Sequence, residues 1–294
     1  MKIAIYGQYY LNSTEPIIKD IFVFFKKNNV ELIIESAFLE MLYEKNIIHE
    51  TYPTFSSHNE LDASFDMLIS IGGDGTILRA ATLVRNSGVP ILGINAGRLG
   101  FLATVQKEKI DSFLQFVIDK KYSISKRTLL SLDCSPENEA IHEINFAMNE
   151  ITVSRKDTTS MITIETYLND EFLNSYWADG LIISTPTGST GYSMSCGGPI
   201  LTPEVKSLVI TPIAPHNLNA RPLVIPDNTE IKLRVTGRED QYLVSLDSRV
   251  TTVKNESILI IKKNPFEINM IEIAEETFLK TLRNKLLWGE DKRN

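Results

Sequence analysis

Apolar and polar positions follow two different periods along the chain, and the change between them divides it. Residues 2–7, KIAIYG, form an apolar run ending in Gly7 and predict a first strand. Residues 14–29 have Thr14 as N-cap, Pro16 early, and Ile17, Ile18, Ile21, Phe22, Phe24 and Phe25 on a wide apolar face, which predicts an amphipathic helix. ELIIESAF (31–38) predicts a second strand, with a weaker helical piece running to about Ile47. Residues 49–64 are polar and irregular and read as a mobile loop. MLISI (67–71) is a short buried strand, bounded by Asp66 and by glycines. TILRAATLVRN (76–86) is a helix with Thr76 as N-cap, VPILGINAG (89–97) a strand ending in glycine, and 107–120 one more helix. Strand alternating with helix predicts a parallel, Rossmann-like sheet covered on both faces. Ligands of such sheets sit at the carboxyl ends of the strands. Gly7, GGDGT (72–76) and NAGRLGF (95–101) all fall at that edge.

Past about residue 125 the helical period fades. LLSLDCS, INFAMNEITVS, MITIETYLND, EFLNSYW, GLIIST, SLVITPI, EIKLRVTG, YLVSLDS and ILIIKK are short β-rich runs. Asn169-Asp170 and Asp247-Ser248 are hairpin-turn candidates. So many strands without helices between them predict an all-β domain, a sandwich or a barrel-like pair of sheets. GSTGYSMSCGG (188–198) interrupts them as a glycine turn and a short helix. Residues 275–288 make an amphipathic helix, with Phe278, Leu279, Leu282, Leu286 and Leu287 near one face. It packs back on the first domain or on a partner chain. The expected organisation is α/β plus all-β: a Rossmann-like domain over 1–125, a β-sandwich-like domain over 126–274, and a C-terminal helix and tail over 275–294.

Composition narrows the function classes. A chain of 294 residues that is 43% hydrophobic can build a sizeable core. A net charge of −7, without a long basic run, argues against nucleic acid or an anionic membrane as partner. Cys134 and Cys196 are too few for a disulfide framework, which suits a reducing cytoplasm. The apolar run of MKIAIYG is too short for a signal peptide, and no segment approaches the roughly 18 apolar residues of a membrane span. The expectation is a soluble cytoplasmic protein.

Candidate chemistry centres on the glycine turn. A strand-turn-helix brings backbone N–H groups and a helix N-terminus to one point, which favours phosphate. The glycines let a ligand approach the backbone. Asp74 does not suit phosphate, because like charges repel; it suits accepting a proton from a hydroxyl or holding a metal. Gly-Gly and Asp-Gly are also ordinary turn dipeptides. The turn is neither a Walker loop nor a G-x-G-x-x-G fingerprint, since Leu78 takes the third glycine's place. ADGLIISTPTGSTGYSMSCGGPI (178–200) is dense in hydroxyls and glycines that suit a sugar or phosphate, though such a stretch can be simply a loop. Asn149-Glu150 places two polar residues inside an apolar strand, either as a bulge or as a ligand contact. His142 and His216 have no metal-ligand spacing, and Ser189 lacks the G-x-S-x-G frame of a hydrolase elbow.

Taken together, GGDGT (72–76), NAGRLGFL (95–102), NE (149–150), DGLIISTPTGSTGYSMSCGGPI (179–200), PIAPHNLNARPLVIP (212–226) and FLKTLRNKLLWG (278–289) closely resemble the NAD kinase family over nearly the whole chain. GGDGT alone is shared with diacylglycerol-type lipid kinases and, more distantly, phosphofructokinases; the longer blocks are more specific. The resemblance implies transfer of the terminal phosphoryl of ATP to the 2′-hydroxyl of the adenosine ribose of NAD, with Asp74 as proton acceptor. It implies that Gly72, Gly73 and Gly75 cradle nucleotide phosphates, with Arg79 nearby. Asn149 and Glu150 would hold the other ribose or the nicotinamide end, and Asp179 the nicotinamide or adenine portion. Thr190, Gly191, Tyr192, Ser193, Met194 and Ser195 would wrap the adenosine half, and Phe101, Ser160, Trp177, Thr187, Ala214 and Arg249 complete the implied nucleotide contacts. Gly191 stands where Ala is usual, Trp177 where a basic residue or glycine is common, and Arg249 where Gln is frequent. A divalent metal, magnesium, is implied through the phosphates, and a homotetramer or homodimer as the assembly. Two other readings stand beside it: a lipid kinase of the diacylglycerol class, expected to lack the two longest blocks, and a catalytically silent nucleotide sensor, expected to lack Asp74.

Overall fold

The computed structural model describes residues 1–8, 14–97, 99–103, 105, 110–157, 160–274 and 276–288. Two compact units result, Met1–Lys126 with Ile268–Asn294, and Arg127–Glu267. The first contains β1 (Lys2–Gly7), α1 (Thr14–Lys27), β2 (Glu31–Glu35), α2 (Ser36–Glu44), β3 (Thr54–Phe55), β4 (Met67–Gly72), α3 (Asp74–Val84), β5 (Ile91–Asn95), α4 (Ile110–Ile118) and β6 (Ser123–Arg127). The second contains β7 (Leu130–Ser135), α5 (Glu139–Glu143), β8 (Phe146–Ala147), β9 (Glu150–Arg155), β10 (Ile162–Leu168), β11 (Glu171–Ala178), β12 (Gly180–Ser184), α6 (Tyr192–Ser195), β13 (Ser207–Ile213), β14 (Leu223–Pro226), β15 (Ile231–Thr236), β16 (Gln241–Leu246), β17 (Arg249–Lys254) and β18 (Ile258–Lys263). The chain then returns to the first unit with β19 (Ile268–Glu272) and α7 (Phe278–Leu286).

The first unit is built on one sheet in the order β3-β2-β1-β4-β5-β19-β6. Neighbours from β3 to β5 run parallel, and β19 joins β5 in parallel at Met270 and Ile91. All six residues of β4 are buried, which is why MLISI reads as an unbroken apolar run rather than an alternating one. Ile17, Ile18, Ile21, Phe22 and Phe25 of α1 share one core with Ile3, Ile5 and Ile69. Chain order reverses sides at β1 and β4, so their carboxyl ends, Gly7 and Gly72, flank the switch point of the sheet.

The second unit holds two six-stranded sheets, β11-β10-β15-β18-β7-β8 and β14-β13-β12-β9-β16-β17, with antiparallel pairing within each. Ile164, Leu233 and Leu259 from one sheet and Val153, Ile183 and Val244 from the other share one apolar core, a sandwich. Both hairpin turns form: Asn169 and Asp170 have φ of 49° and 65°, and Asp247 has 55°.

Several local expectations change. Residues 49–64 contain the edge strand β3 and a 3₁₀ turn at His58–Glu60. The expected strand 31–38 ends at Glu35, whose carboxylate caps α2 by accepting the Phe38 N–H at 2.8 Å. Helix α3 starts at Asp74 with Gly73 as N-cap, so Thr76 is a buried residue of the first turn rather than the cap. Residues 268–272, expected in the β-rich half, pair with β5 because strand character alone does not specify the sheet. The expected helix start at 107–109, Arg98, Glu275 and residues 289–294 lie outside the described residues. Among the described residues no helix is long and apolar enough to cross a membrane.

Candidate functional site

In the first unit, the site is the turn between β4 and α3. Gly72 has a φ of 157°, and a Cβ there would lie 2.2 Å from Thr76 Oγ1. Only glycine lets the strand pass that close to the helix it feeds. A Cβ built at Gly73 or Gly75 meets nothing within 4 Å, so open space adjoins the turn on both sides of Asp74. The Asp74 carboxylate is held by a second loop. Phe101 N–H donates to Oδ2 at 2.7 Å, and Leu102 and Ala103 N–H donate to Oδ1 at 3.0 and 2.9 Å. Asn95 anchors that loop: its Oδ1 accepts from Gly97 N–H at 2.7 Å, and its Nδ2 donates to the Ala103 carbonyl at 3.3 Å. The Phe101 ring lies 6.5 Å from that of Phe278, and Lys285 stands 5.6 Å above it. Phe101 thus contributes its amide to Asp74 while its ring packs toward α7. Arg79 is exposed on α3.

Loop geometry leaves Asp74 with limited capacity. A carboxylate offers about four lone-pair sites, and three are filled by these amides. The remaining site can accept one hydroxyl proton. Backbone donors of the Phe101–Ala103 loop hold it in place at the start of α3 without a mobile side chain.

In the second unit, Asn149 and Glu150 lie where β8 gives way to β9, and Asp247 clamps them. Its carboxylate accepts the N–H groups of Met148, Asn149 and Glu150 at 3.0, 2.8 and 3.2 Å, and its own N–H donates to the Glu150 carbonyl at 3.0 Å. The Asn149 carbonyl accepts from Thr185 N–H at 2.9 Å, and the Met148 carbonyl from Thr185 Oγ1 at 2.6 Å. Gly188 passes so close that a Cβ would sit 2.1 Å from the Asn149 carbonyl oxygen. A Cβ at Gly191 would lie 3.1 Å from Glu150 Oε2, a contact that a shift of a few tenths of an ångström relieves.

These contacts leave two polar atoms buried without a partner, Asn149 Oδ1 and Glu150 Oε2. Orphaned acceptors are costly and mark a place where a ligand can donate. Burial, and after it the neighbouring Asp247, pushes the Glu150 carboxyl up to about 8, against the opposing Tyr192 N–H. Burial raises Asp247 too, while its three amides and Arg249 act the other way. Asp247 needs both oxygens as acceptors, so the proton of the pair belongs on Glu150. At neutral pH Glu150 can therefore donate as well as accept, as a sugar diol requires.

Other sequence candidates are distributed around this pair. Asp179 forms an ion pair with Arg155 at 3.0 Å. The Trp177 ring lies 4.4 Å from His216. Tyr192 is half-exposed, while Thr187 and Thr190 are buried. Thr190 donates to the Thr187 carbonyl, and Ser193 shares a 2.8 Å hydrogen bond with Thr211. Those two hydroxyls thus brace the turn. Met194 is half-buried and Ser195 exposed on α6, Ala214 is exposed with φ of 42°, and Ser160 is half-buried before β10. Arg249 donates to the carbonyls of Ile144, at 2.7 Å, and Phe146, which makes it a brace for the segment leading into Asn149. Sequence reasoning assigned no site role to Asp247, Arg155 or the amides of Leu102 and Ala103. Asp247 showed only as half of a turn dipeptide, and backbone amides carry no sequence signature.

Comparison with known proteins gives one consistent result. A family model described as the ATP-NAD kinase N-terminal domain matches residues 12–122, and one described as the ATP-NAD kinase C-terminal domain matches 148–273. The chain is 78% identical over 294 residues to the NAD kinase of Flavobacterium johnsoniae and 56% identical over 294 residues to that of Christiangramia forsetii, covering all of each. It resembles the crystal structure of yeast NADH kinase complexed with NADH, with a TM-score of 0.88 at 22% identity over 99% of this chain and 89% of the other. A crystal structure of an NAD kinase from Archaeoglobus fulgidus in complex with ATP matches with a TM-score of 0.73 at 24% identity over 97% of both chains. At those identities the structural likeness speaks for the fold.

Proposed function

The chain belongs to the NAD kinase family, and on that premise we propose that it transfers the terminal phosphoryl group of ATP to the 2′-hydroxyl of the adenosine ribose of NAD, yielding NADP. The observation that carries the site assignment is the Asp74 carboxylate, fixed by three amides beside an open turn. Its remaining acceptor position takes the 2′-hydroxyl proton as the oxygen attacks the terminal phosphorus and the bond to the ADP oxygen breaks. Phosphoryl transfer demands mainly positioning and charge neutralisation. Gly72, Gly73 and Gly75 give the phosphates access to the turn, and Arg79 supplies positive charge. Asn149 and Glu150, with one free buried acceptor each, bind a ribose of NAD, and Asp179, Tyr192, Met194 and Ser195 line its binding surface on the turn that Thr190 and Ser193 brace.

Among the described residues no group of three or more His, Cys, Asp or Glu side chains is placed to hold a metal ion. A divalent ion, magnesium on this reading, would be held mainly by the phosphate oxygens of ATP rather than by protein side chains and would supply charge neutralisation there. A homodimer or homotetramer is the proposed assembly. It is supported by apolar side chains exposed on edge strands of the second unit: Phe172 and Trp177 on β11, Leu223 and Val224 on β14, and Val250 on β17. We place the protein in the cytoplasm, in keeping with the free Cys134 and Cys196.

The test is NADP formation from NAD, ATP and magnesium, with parallel reactions in which NADH replaces NAD and polyphosphate replaces ATP. NADP formation from NAD and ATP is the expected result. Binding of NAD without any turnover would overturn the kinase reading in favour of a sensor.

A further inference from the structure

A recess opens at the carboxyl ends of β1 and β2, in the first unit. Its volume is about 590 Å³, and Gly7, Gln8, Glu35, Met41, Lys45 and Arg79 are among the residues lining it. That volume falls within the range of small-molecule sites, about 300–1,000 Å³. Resting on the phosphoryl-transfer reading above, we propose that this recess holds the nucleoside end of the phosphoryl donor, with Glu35 on its ribose hydroxyls and Arg79 on its polyphosphate.

Four observations support it. The recess adjoins the switch point between β1 and β4, where ligands of such sheets bind. Glu35 is the last residue of β2, the position from which a carboxylate reaches a ribose in dinucleotide-binding sheets. Its Oε2 accepts the Phe38 N–H at 2.8 Å, which fixes the carboxylate while Oε1 has no partner among the described residues. Phe38 and Met41 give the recess an apolar side for a base, and Gly7 admits the Phe38 ring: a Cβ at Gly7 would lie 2.5 Å from it. Finally, Arg79 lines the recess and stands five residues beyond Asp74 on α3, about 7.5 Å along the axis. A polyphosphate leaving the recess past Arg79 therefore heads for the turn where transfer occurs. Among the described residues, neither Asp74 nor any second-unit residue proposed for NAD lines the recess, so it is assigned to the donor rather than the acceptor.

The test uses the full chain with Met41→Trp, which fills the recess, and Glu35→Gln, which keeps an oxygen for the α2 cap. Steady-state rates with ATP varied and with NAD varied are measured beside calorimetric titration with β,γ-methylene-ATP and with tripolyphosphate, which has no nucleoside. For Met41→Trp the expected result is a rise of about tenfold or more in KM for ATP and an equal loss of analogue affinity, with KM for NAD and tripolyphosphate affinity within about twofold of wild type. Glu35→Gln is expected to move the same two quantities by about three- to tenfold, and it decides the matter if Met41→Trp does not fold. Analogue affinity unchanged in a folded variant, or tripolyphosphate weakened as much as the analogue, would overturn the proposal. A wild-type chain that forms no NADP overturns the kinase reading alone, because the analogue titration still reports on the recess.

Discussion

A Cβ built on Gly100 would lie 1.9 Å from Oδ1 of Asp74 and 2.5 Å from its Cγ. The loop that supplies three amides to the carboxylate can close on it only because residue 100 has no side chain. Gly100→Ala must displace either the carboxylate or the Phe101–Ala103 amides. We expect kcat to fall by about tenfold or more while NAD affinity stays within about twofold, by initial rates and calorimetry. A kcat near wild type would mean that this seat is not needed.

Asp74→Asn keeps the shape and changes the chemistry. One oxygen can still accept from Leu102 and Ala103, but the amide nitrogen would face the Phe101 N–H, donor against donor. A general base typically contributes about 10²–10⁴ in rate, and a loss of that size is expected with NAD still bound. Turnover within a few-fold of wild type would remove Asp74 from the role of proton acceptor.

Asp247→Ala strips three partly buried amides of their acceptor at once. Each unsatisfied group costs about 1–3 kcal/mol, so urea unfolding should show a loss of about 3 kcal/mol or more. Because the same amides set the pose of Asn149 and Glu150, KM for NAD should rise more than kcat falls. Asp247→Asn, which keeps one acceptor oxygen, should lie between the two proteins on both scales.

Glu150 makes the ligand-free protein sensitive to alkali. Its ordinary value is 4.5 and the fold pushes it up to about 8. Below 4.5 folded and unfolded chains both carry the proton and the group exacts no penalty. As pH rises the unfolded chain loses its proton first, so stability declines and the contribution is gone once the pH passes about 8. Scanning calorimetry should show Tm falling more steeply over this window in wild type than in Glu150→Gln. Parallel curves would show that Glu150 does not carry the effect.

Much of this fold is legible in residue order. The run from Met67 to Thr76 reads as strand, turn and helix because burial of β4 on both faces leaves a continuous apolar stretch, and glycine marks where it ends. Short runs such as those of β10, β15 and β16 read as sheet because buried and less buried positions alternate along them, while β12 is buried throughout. What stays hidden is partner choice. The two residues of β3 are too few to show a period, and β19 has the same pattern as its sandwich neighbours while pairing with β5. The same holds at the candidate site. Asp74 stands out as the one acid among glycines, but its donors are backbone amides 27 to 29 positions away. Asp247 reaches its amides across 97 to 99 positions, a distance that no local pattern encodes.

The path of β19 has a consequence for biosynthesis. In the first sheet, β6 is linked to β5 only through β19, which leaves the ribosome after the whole sandwich. During translation β6 must wait without its sheet neighbour while Arg127–Glu267 emerges as an insertion able to form its own core. The nascent chain thus completes its inner unit before its outer one, and the last-made strand closes the structure that the first-made strand began.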